Sequence, residues 1–97
     1  MTNAQDCQNM TEVRAEIDRV DKALVDLLAE RWTYVDRAWF FKKDPSEASV
    51  PWRNKDVIDK VKIRAAEKGM PPEMAESLWR SIIGWGIQYE EERLREQ

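Results

Sequence analysis

The sequence contains no histidine among its 97 residues, and it has one cysteine and three glycines. The absence of histidine excludes the commonest general base and the commonest metal ligand, together with the base of a serine or cysteine hydrolase dyad. The single cysteine, Cys7, cannot form an intrachain disulfide or hold a metal cluster alone, which is compatible with a reducing compartment. Neither a nucleotide-binding glycine motif nor an HExxH motif is present, so the sequence predicts no metal and no cofactor.

The sequence also lacks a long apolar run and an excess of positive charge. No stretch approaches the roughly 18 consecutive apolar residues of a membrane-spanning helix, and the N-terminal segment lacks the basic start and apolar core of a signal peptide. The net charge is −3 and the pI is about 5.0, so no basic field favours nucleic acid. We therefore expect a cytoplasmic protein with no nucleic-acid partner and no membrane partner.

What the sequence does contain is typical of a folded helical protein. Hydrophobic residues make up 42% and charged residues 36%, the mixture of helices that each keep one solvated face. A chain of 97 residues predicts one domain, 1–97, in which residues 1–10 are expected to be a loose N-terminus. A single helical chain of this size buries only a thin core, so we expect it to associate.

Three amphipathic segments predict an all-α fold with a long, a short and a long helix. The first helix is expected to begin with Thr11 as N-cap and to continue for about 30 residues, or about 45 Å, until Pro45 approaches. The second covers about 52–68 and ends at Gly69, and the third runs from the Pro71-Pro72 pair to about residue 93. A first helix of this length favours an arrangement that spans two subunits. Its apolar stripe consists of Val13, Ile17, Val20, Leu24, Leu27, Leu28, Val35 and Ala38.

Two cations interrupt this stripe where a purely structural helix would carry leucine. Arg31 and Lys42 share one face, separated by about 16 Å of helical rise. Arg14 lies about 100° from Arg31 around the helix and about 25 Å along it, so both cannot hold one small ligand from the same helix. A second chain could supply Arg14.

Further charges lie near the inner faces of the other two helices. Glu90 faces the same way as Ile83 in the third helix, and Gly86 is predicted to leave open space one turn before it. Arg53 points inward from the first turn of the second helix. Each charge taken singly is more often a solvated or snorkelling side chain. Burying several charges together costs free energy unless opposite charges pair with them. This favours a multiply anionic ligand.

One pattern of residues extends over nearly the whole chain, in the order Val13-Arg14-x-x-Ile17-Asp18-x-x-Asp21, Leu27-Leu28-Ala29-Glu30-Arg31, Lys42, Arg53, Ile82-Ile83 and Glu90. In order, helix placement and spacing, this pattern resembles the all-helical chorismate mutase family. The resemblance implies an intertwined homodimer whose long first helices cross, with two equivalent active sites that are each completed by the partner subunit.

The resemblance also implies a role for each charged residue. Arg14 from one subunit, with Arg31 and Arg53 from the other, would hold the two substrate carboxylates. Lys42 matches the family lysine that reaches the enolpyruvyl ether oxygen and a carboxylate. Glu90 matches a glutamine or glutamate that faces the same oxygen, and it supports that oxygen only when protonated.

The activity implied first is the pericyclic rearrangement of chorismate to prephenate, which needs no nucleophile, metal or redox cofactor. Asn54 stands where many mutases have a glutamate that binds the substrate hydroxyl. The alternative is an isochorismate pyruvate lyase that gives salicylate and pyruvate, and a further alternative is a noncatalytic helical dimerisation module. Glu90 departs from the glutamine of a dedicated lyase, whereas other short segments resemble the lyase branch: Asp6-Cys7, Tyr34-Val35, Phe41-Lys42 and Ser46-Glu47-Ala48.

Overall fold

A computed structural model describes the whole chain, residues 1–97, and contains helices and turns without a strand. The predicted long, short, long order is confirmed by α1 (Met10–Ala38), α2 (Pro51–Glu67) and α3 (Pro72–Arg95). Three short 3-10 turns accompany them: Ala4–Asp6, Trp39–Phe41 and Pro45–Glu47. The chain forms two compact units, Met1–Tyr34 and Val35–Gln97. None of the helices combines the length and the apolarity that crossing a membrane requires.

The N-cap of α1 is Asn9, so the prediction of Thr11 as the cap was wrong. The side-chain oxygen of Asn9 accepts a hydrogen bond from the backbone N–H of Glu12 at 2.9 Å, and its carbonyl accepts one from Val13 at 3.2 Å. The Glu12 carboxylate accepts in turn from the backbone N–H of Gln8 at 2.8 Å. These bonds satisfy donors that the start of a helix otherwise leaves unpaired. Asn and Thr are both good caps, so periodicity alone could not choose between them.

The N-terminal segment, expected to be loose, carries one turn, and Thr2 adds a hydrogen bond to α1 beyond those of Gln8 and Asn9. The backbone N–H of Thr2 donates to the Glu16 carboxylate at 2.6 Å. This bond, with a smaller contribution from Arg19, holds the pKa of Glu16 below its ordinary value.

The apolar stripe of α1 is exposed in the single chain. No residue of α1 is buried, and the side chains of Ile17, Leu24 and Leu28 are 51%, 50% and 40% exposed. Apolar surface stabilises a protein by about 25 cal/mol per Å² only when it leaves water. A contiguous apolar stripe of this kind is typical of a protein–protein contact surface.

In the second unit, α2 and α3 pack against each other around a thin core of small and aliphatic side chains. Its buried apolar residues are Ala48, Ile58, Ala65, Ala75 and Leu94. Gly69 ends α2 as predicted, with a φ of 76° that an L side chain rarely adopts. The backbone N–H groups of Gly69 and Met70 donate to the carbonyls of Ala66 and Ala65 at 3.2 and 2.9 Å, which closes the helix in a Schellman turn.

The surroundings of Gly86 differ from the prediction of open space beside Glu90. Gly86 is buried, and a Cβ built on it would lie 3.3 Å from Cγ1 of Val35. The space is therefore filled by a side chain from the last turns of α1, and the prediction of a gap at Gly86 was wrong. A glycine here lets this part of α1 approach α3 closely. Open space occurs instead at Gly84, where a Cβ would meet nothing within 4 Å.

Candidate active site

An enclosed ion pair between Lys42 and Glu90 is the most distinctive polar feature of the second unit. The Lys42 ammonium lies 2.5 Å from Oε2 of Glu90. The side chains are 21% and 7% exposed, and Glu90 is the charged residue that the fold buries. Lys42 also donates to the backbone carbonyl of Ala48 at 3.4 Å. Two residues that sequence patterns placed separately on inner faces are thus in direct contact.

Local backbone structure directs both side chains inward. After the Trp39–Phe41 turn, Lys42 adopts extended dihedrals of φ −111° and ψ 152°, which end the helical path of the chain. On α3, Glu90 lies between Gly86 and Leu94 at four-residue spacing, and all three are buried. Glu90 is therefore on the inner face of α3, although it begins a run of three glutamates that would otherwise indicate a solvated surface.

Because the Lys42–Glu90 pair is poorly solvated, each of its charges is stabilised mainly by the other. Removing one member of a buried ion pair costs about 3–5 kcal/mol, because the remaining charge has lost its partner in a poorly solvated place. The pair itself contributes little net stability, since desolvation offsets most of the attraction. A site of this kind is suited to an anionic ligand that competes with Glu90 for the Lys42 ammonium.

The segment between Lys42 and α2 brings the Ala48 carbonyl to the lysine. Asp44 starts the Pro45–Glu47 turn, and its carboxylate accepts from the backbone N–H of Ser46 at 2.9 Å. Hydrogen bonding from Ser46, mainly from its backbone N–H, lowers the pKa of Asp44. The backbone N–H of Lys43 donates to the Glu47 carboxylate at 3.2 Å.

Asn54 is connected to the same segment and lines a groove between α2 and α3. Its side-chain amide donates to the hydroxyl of Ser49 at 3.2 Å. The groove has a volume of about 530 Å³ and is lined by Ser49, Asn54, Ile83 and Ile87, among others. Lys42 and Glu90 are not among its lining residues.

Arg53 occupies a different environment from the one its position predicted. Its guanidinium pairs with Asp56 at 3.0 Å, and its side chain is 55% exposed. Asp56 also accepts from Lys60 at 2.9 Å. Hydrogen bonds from Lys60 and Arg53, with the larger effect from Lys60, lower the pKa of Asp56. In the single chain, Arg53 therefore faces its own helix surface rather than the Lys42–Glu90 pair.

The two remaining predicted site residues belong to the first unit. Arg14 is exposed on α1, and Arg31 is half-buried. Of the six candidate residues, the structure brings Lys42 and Glu90 together and places Asn54 near them along the chain through the Ala48-Ser49 segment. The convergence of Arg14, Arg31 and Arg53 on one substrate stays a prediction.

Sequence reasoning missed a second polar contact between the end of α1 and α3. The Tyr89 hydroxyl donates to Oδ1 of Asp36, and the indole N–H of Trp39 donates to the same oxygen at 3.3 Å. Arg93 donates from Nε to the Tyr89 hydroxyl oxygen at 3.2 Å. We call these four residues the Asp36 cluster. No local pattern signals a contact between residues this far apart in the chain.

The chain is similar to a known protein family and to a curated relative. A family model described as chorismate mutase type II matches residues 13–91, a range that includes all six candidate site residues. A curated isochorismate pyruvate lyase from Pseudomonas aeruginosa is 31% identical over 87 residues, which cover 90% of this chain and 86% of the relative.

Proposed function

The chain belongs to the type II chorismate mutase family, and from this premise we propose that it binds a chorismate-type dianion and promotes a pericyclic reaction of its enolpyruvyl ether. The observation that carries the proposal is the enclosed Lys42–Glu90 pair at 2.5 Å. Family members use a lysine at this place against the ether oxygen. Such a reaction needs neither a nucleophile nor a general base, which suits a chain without histidine.

We propose the isochorismate pyruvate-lyase reaction as the principal activity. In this reaction the ether C–O bond breaks, a ring hydrogen moves to the enolpyruvyl methylene carbon, and salicylate and pyruvate are formed. The name of the Pseudomonas relative supports this choice, and so does Asn54, whose amide bonds Ser49 where many mutases have a carboxylate. Rearrangement of chorismate to prephenate, the activity that the sequence favoured, is proposed as a second reaction of the same site.

Lys42 supplies the electrostatic part of the proposed mechanism. Negative charge grows on the ether oxygen as its bond to the ring breaks, and a preorganised cation in a poorly solvated site stabilises that charge most effectively. The Ala48 carbonyl and Glu90 hold the ammonium in place before substrate arrives. Bidentate contacts from arginine to the substrate carboxylates would select the compact reactive conformer.

The site also requires a second copy of the chain under this proposal. The exposed apolar stripe of α1 offers a surface for the same stripe of a partner, which fits the self-complementary contact of a two-fold dimer. Arg14 of the partner subunit would then reach the site that contains Lys42.

Separate assays with chorismate and with isochorismate test the proposed function. Prephenate is measured in the first, and salicylate and pyruvate in the second. We expect equal amounts of salicylate and pyruvate, formed from isochorismate with a higher kcat/KM than prephenate from chorismate. Conversion of neither substrate would favour the noncatalytic dimerisation module. Faster formation of prephenate would reverse the order of the two proposed activities.

The side chain at position 90 is expected to affect activity. A carboxylate repels the ether oxygen, whereas an amide can donate a hydrogen bond to it. We predict that Glu90→Gln keeps or raises kcat/KM for the ether-cleaving reaction. The exposed neighbour Glu92 provides the matched control, since Glu92→Gln should leave kcat/KM unchanged. A loss of activity in Glu90→Gln alone would count against this role of residue 90.

A further inference from the structure

The Asp36 cluster lies immediately beside the Lys42–Glu90 pair along both chain segments. Asp36 is in the last turn of α1, shortly before Lys42, and Tyr89 directly precedes Glu90 on α3. The two contacts therefore join the same two pieces of chain. The packing of Val35 against Gly86 joins them a third time, one turn earlier on α3.

The hydrogen bonds of the cluster all have a defined direction. One oxygen of Asp36 accepts from both the Tyr89 hydroxyl and the Trp39 indole N–H. The Tyr89 hydroxyl oxygen accepts from Arg93, so tyrosine acts as donor and acceptor in one chain of bonds. Asp36, Trp39 and Tyr89 are half-buried, whereas Arg93 is exposed. Hydrogen bonds to a charged group are stronger than hydrogen bonds between neutral groups.

The position of Lys42 depends on the contacts that fix the Trp39–Phe41 turn before it. The Trp39–Phe41 turn separates α1 from Lys42, and Trp39 belongs both to this turn and to the cluster. A shift of this turn along α3 would move the Lys42 backbone relative to Glu90. A displacement of about 1 Å in a catalytic group can lower a rate about 100-fold.

We propose that Asp36 and Tyr89 are positioning residues, which hold the end of α1 on α3 so that the Lys42 ammonium meets Glu90 and the substrate ether oxygen. The part of this inference that concerns the substrate ether oxygen rests on the proposed function. The positioning of Lys42 against Glu90 can be tested without any substrate.

The kinetic test removes one hydroxyl group. In Tyr89→Phe we expect kcat to fall about tenfold with KM within about twofold of wild type, because orientation is lost while the substrate-binding cations remain. Tyr34→Phe is the matched control, since Tyr34 is the other of the two tyrosines and is 69% exposed. It should leave kcat unchanged.

Substitutions of Asp36 separate its hydrogen bonds from its charge. Asp36→Asn keeps an oxygen that accepts from Tyr89 and Trp39, and it should keep kcat within about threefold of wild type. Asp36→Ala removes the acceptor and should resemble Tyr89→Phe. Because both changes break the same contact, the double variant Asp36→Ala/Tyr89→Phe should be no slower than either single one.

The substrate-independent test measures the coupling between Lys42 and Glu90. Urea unfolding of Lys42→Met, Glu90→Gln and the double variant, at one protein concentration, gives that coupling as a ratio of unfolding constants. The same cycle is repeated in a Tyr89→Phe background. We expect the ratio to fall at least about threefold there, because the ammonium and the carboxylate no longer meet in the same geometry.

These results distinguish the inference from the proposed function. A coupling that is unchanged in the Tyr89→Phe background would overturn the inference, whatever the enzyme does. A tenfold loss of kcat that Asp36→Asn shares in full would also overturn it, since the hydrogen-bond acceptor would then be irrelevant. A weakened coupling in a protein that converts neither chorismate nor isochorismate would refute the proposed function and leave the positioning role supported.

Discussion

Lys42→Ala is expected to lower kcat/KM by about 10²- to 10³-fold, which corresponds to about 2.7–4 kcal/mol of lost transition-state stabilisation. In the proposed mechanism the ammonium lies against the breaking ether bond, and alanine would leave no cation there to stabilise the growing negative charge. The loss should appear mainly in kcat, because the arginines that are proposed to bind the substrate carboxylates are unchanged. Steady-state kinetics with either substrate measures it.

The same substitution also leaves Glu90 without its partner in a buried position, so stability must be measured beside activity. We expect Lys42→Ala to destabilise the fold by about 3–5 kcal/mol. The double variant Lys42→Ala/Glu90→Gln should recover much of that stability and none of the activity. Lys43→Ala, which changes an exposed neighbour, is the matched control. A kcat/KM of Lys42→Ala within about threefold of wild type would exclude a catalytic role for this lysine.

Leu24→Lys is expected to convert a dimer to monomers and to lower activity by at least about 100-fold. Leu24 is at the centre of the exposed stripe of α1 and is 50% exposed in the single chain. A charge in the middle of an apolar interface loses its hydration without gaining a partner. Monomers would also lack the Arg14 that the partner subunit is proposed to supply. Sedimentation and kinetics on the same samples test both parts.

Asp26→Lys serves as the control for this change, because residue 26 lies about 200° from residue 24 around the helix and faces away from the stripe. It should remain dimeric and active. A wild-type protein that is already monomeric and active, or a Leu24→Lys variant that stays dimeric, would contradict the proposed interface.

Mixing two inactive variants tests whether the site is shared between subunits. Arg14→Ala and Lys42→Ala should each be inactive, but a mixed dimer has one site with an intact Arg14 and an intact Lys42. Random exchange of subunits should therefore restore about a quarter of wild-type activity. No recovery after verified exchange would place Arg14 and Lys42 of one site on the same chain.

Much of the helical architecture could be predicted from short-range patterns. The bounds of α2 and the glycine that ends it follow from proline, glycine and apolar spacing, which act within a few residues. The N-cap of α1 was misplaced by two residues because Asn9 and Thr11 are both acceptable caps. Errors of this kind occur where two local signals compete and the side-chain geometry decides.

Short-range patterns predicted the candidate site less well than they predicted the helices. Helical spacing predicted that Glu90 faces inward. It placed Lys42 on the face of a first helix that in fact ends at Ala38, and it could not predict that these two residues would meet. It also indicated an inward Arg53, whereas Asp56 and the helix surface hold its guanidinium at 3.0 Å in the single chain. The space predicted beside Gly86 is occupied by the Val35 side chain. A helical pattern within one segment cannot predict that a side chain from another segment fills this space.

The sequence by itself determined three helices, their lengths and the inward-facing position of Glu90, since these depend on dihedral preferences and on a period of 3.6 residues. Only the tertiary structure decided that Lys42 pairs with Glu90 and that Asp36 pairs with Tyr89. Those contacts join residues about 50 positions apart, and they exist because the last turns of α1 pack on α3. Such packing depends on how the surfaces of two segments fit together, whereas a local sequence pattern describes the surface of only one segment.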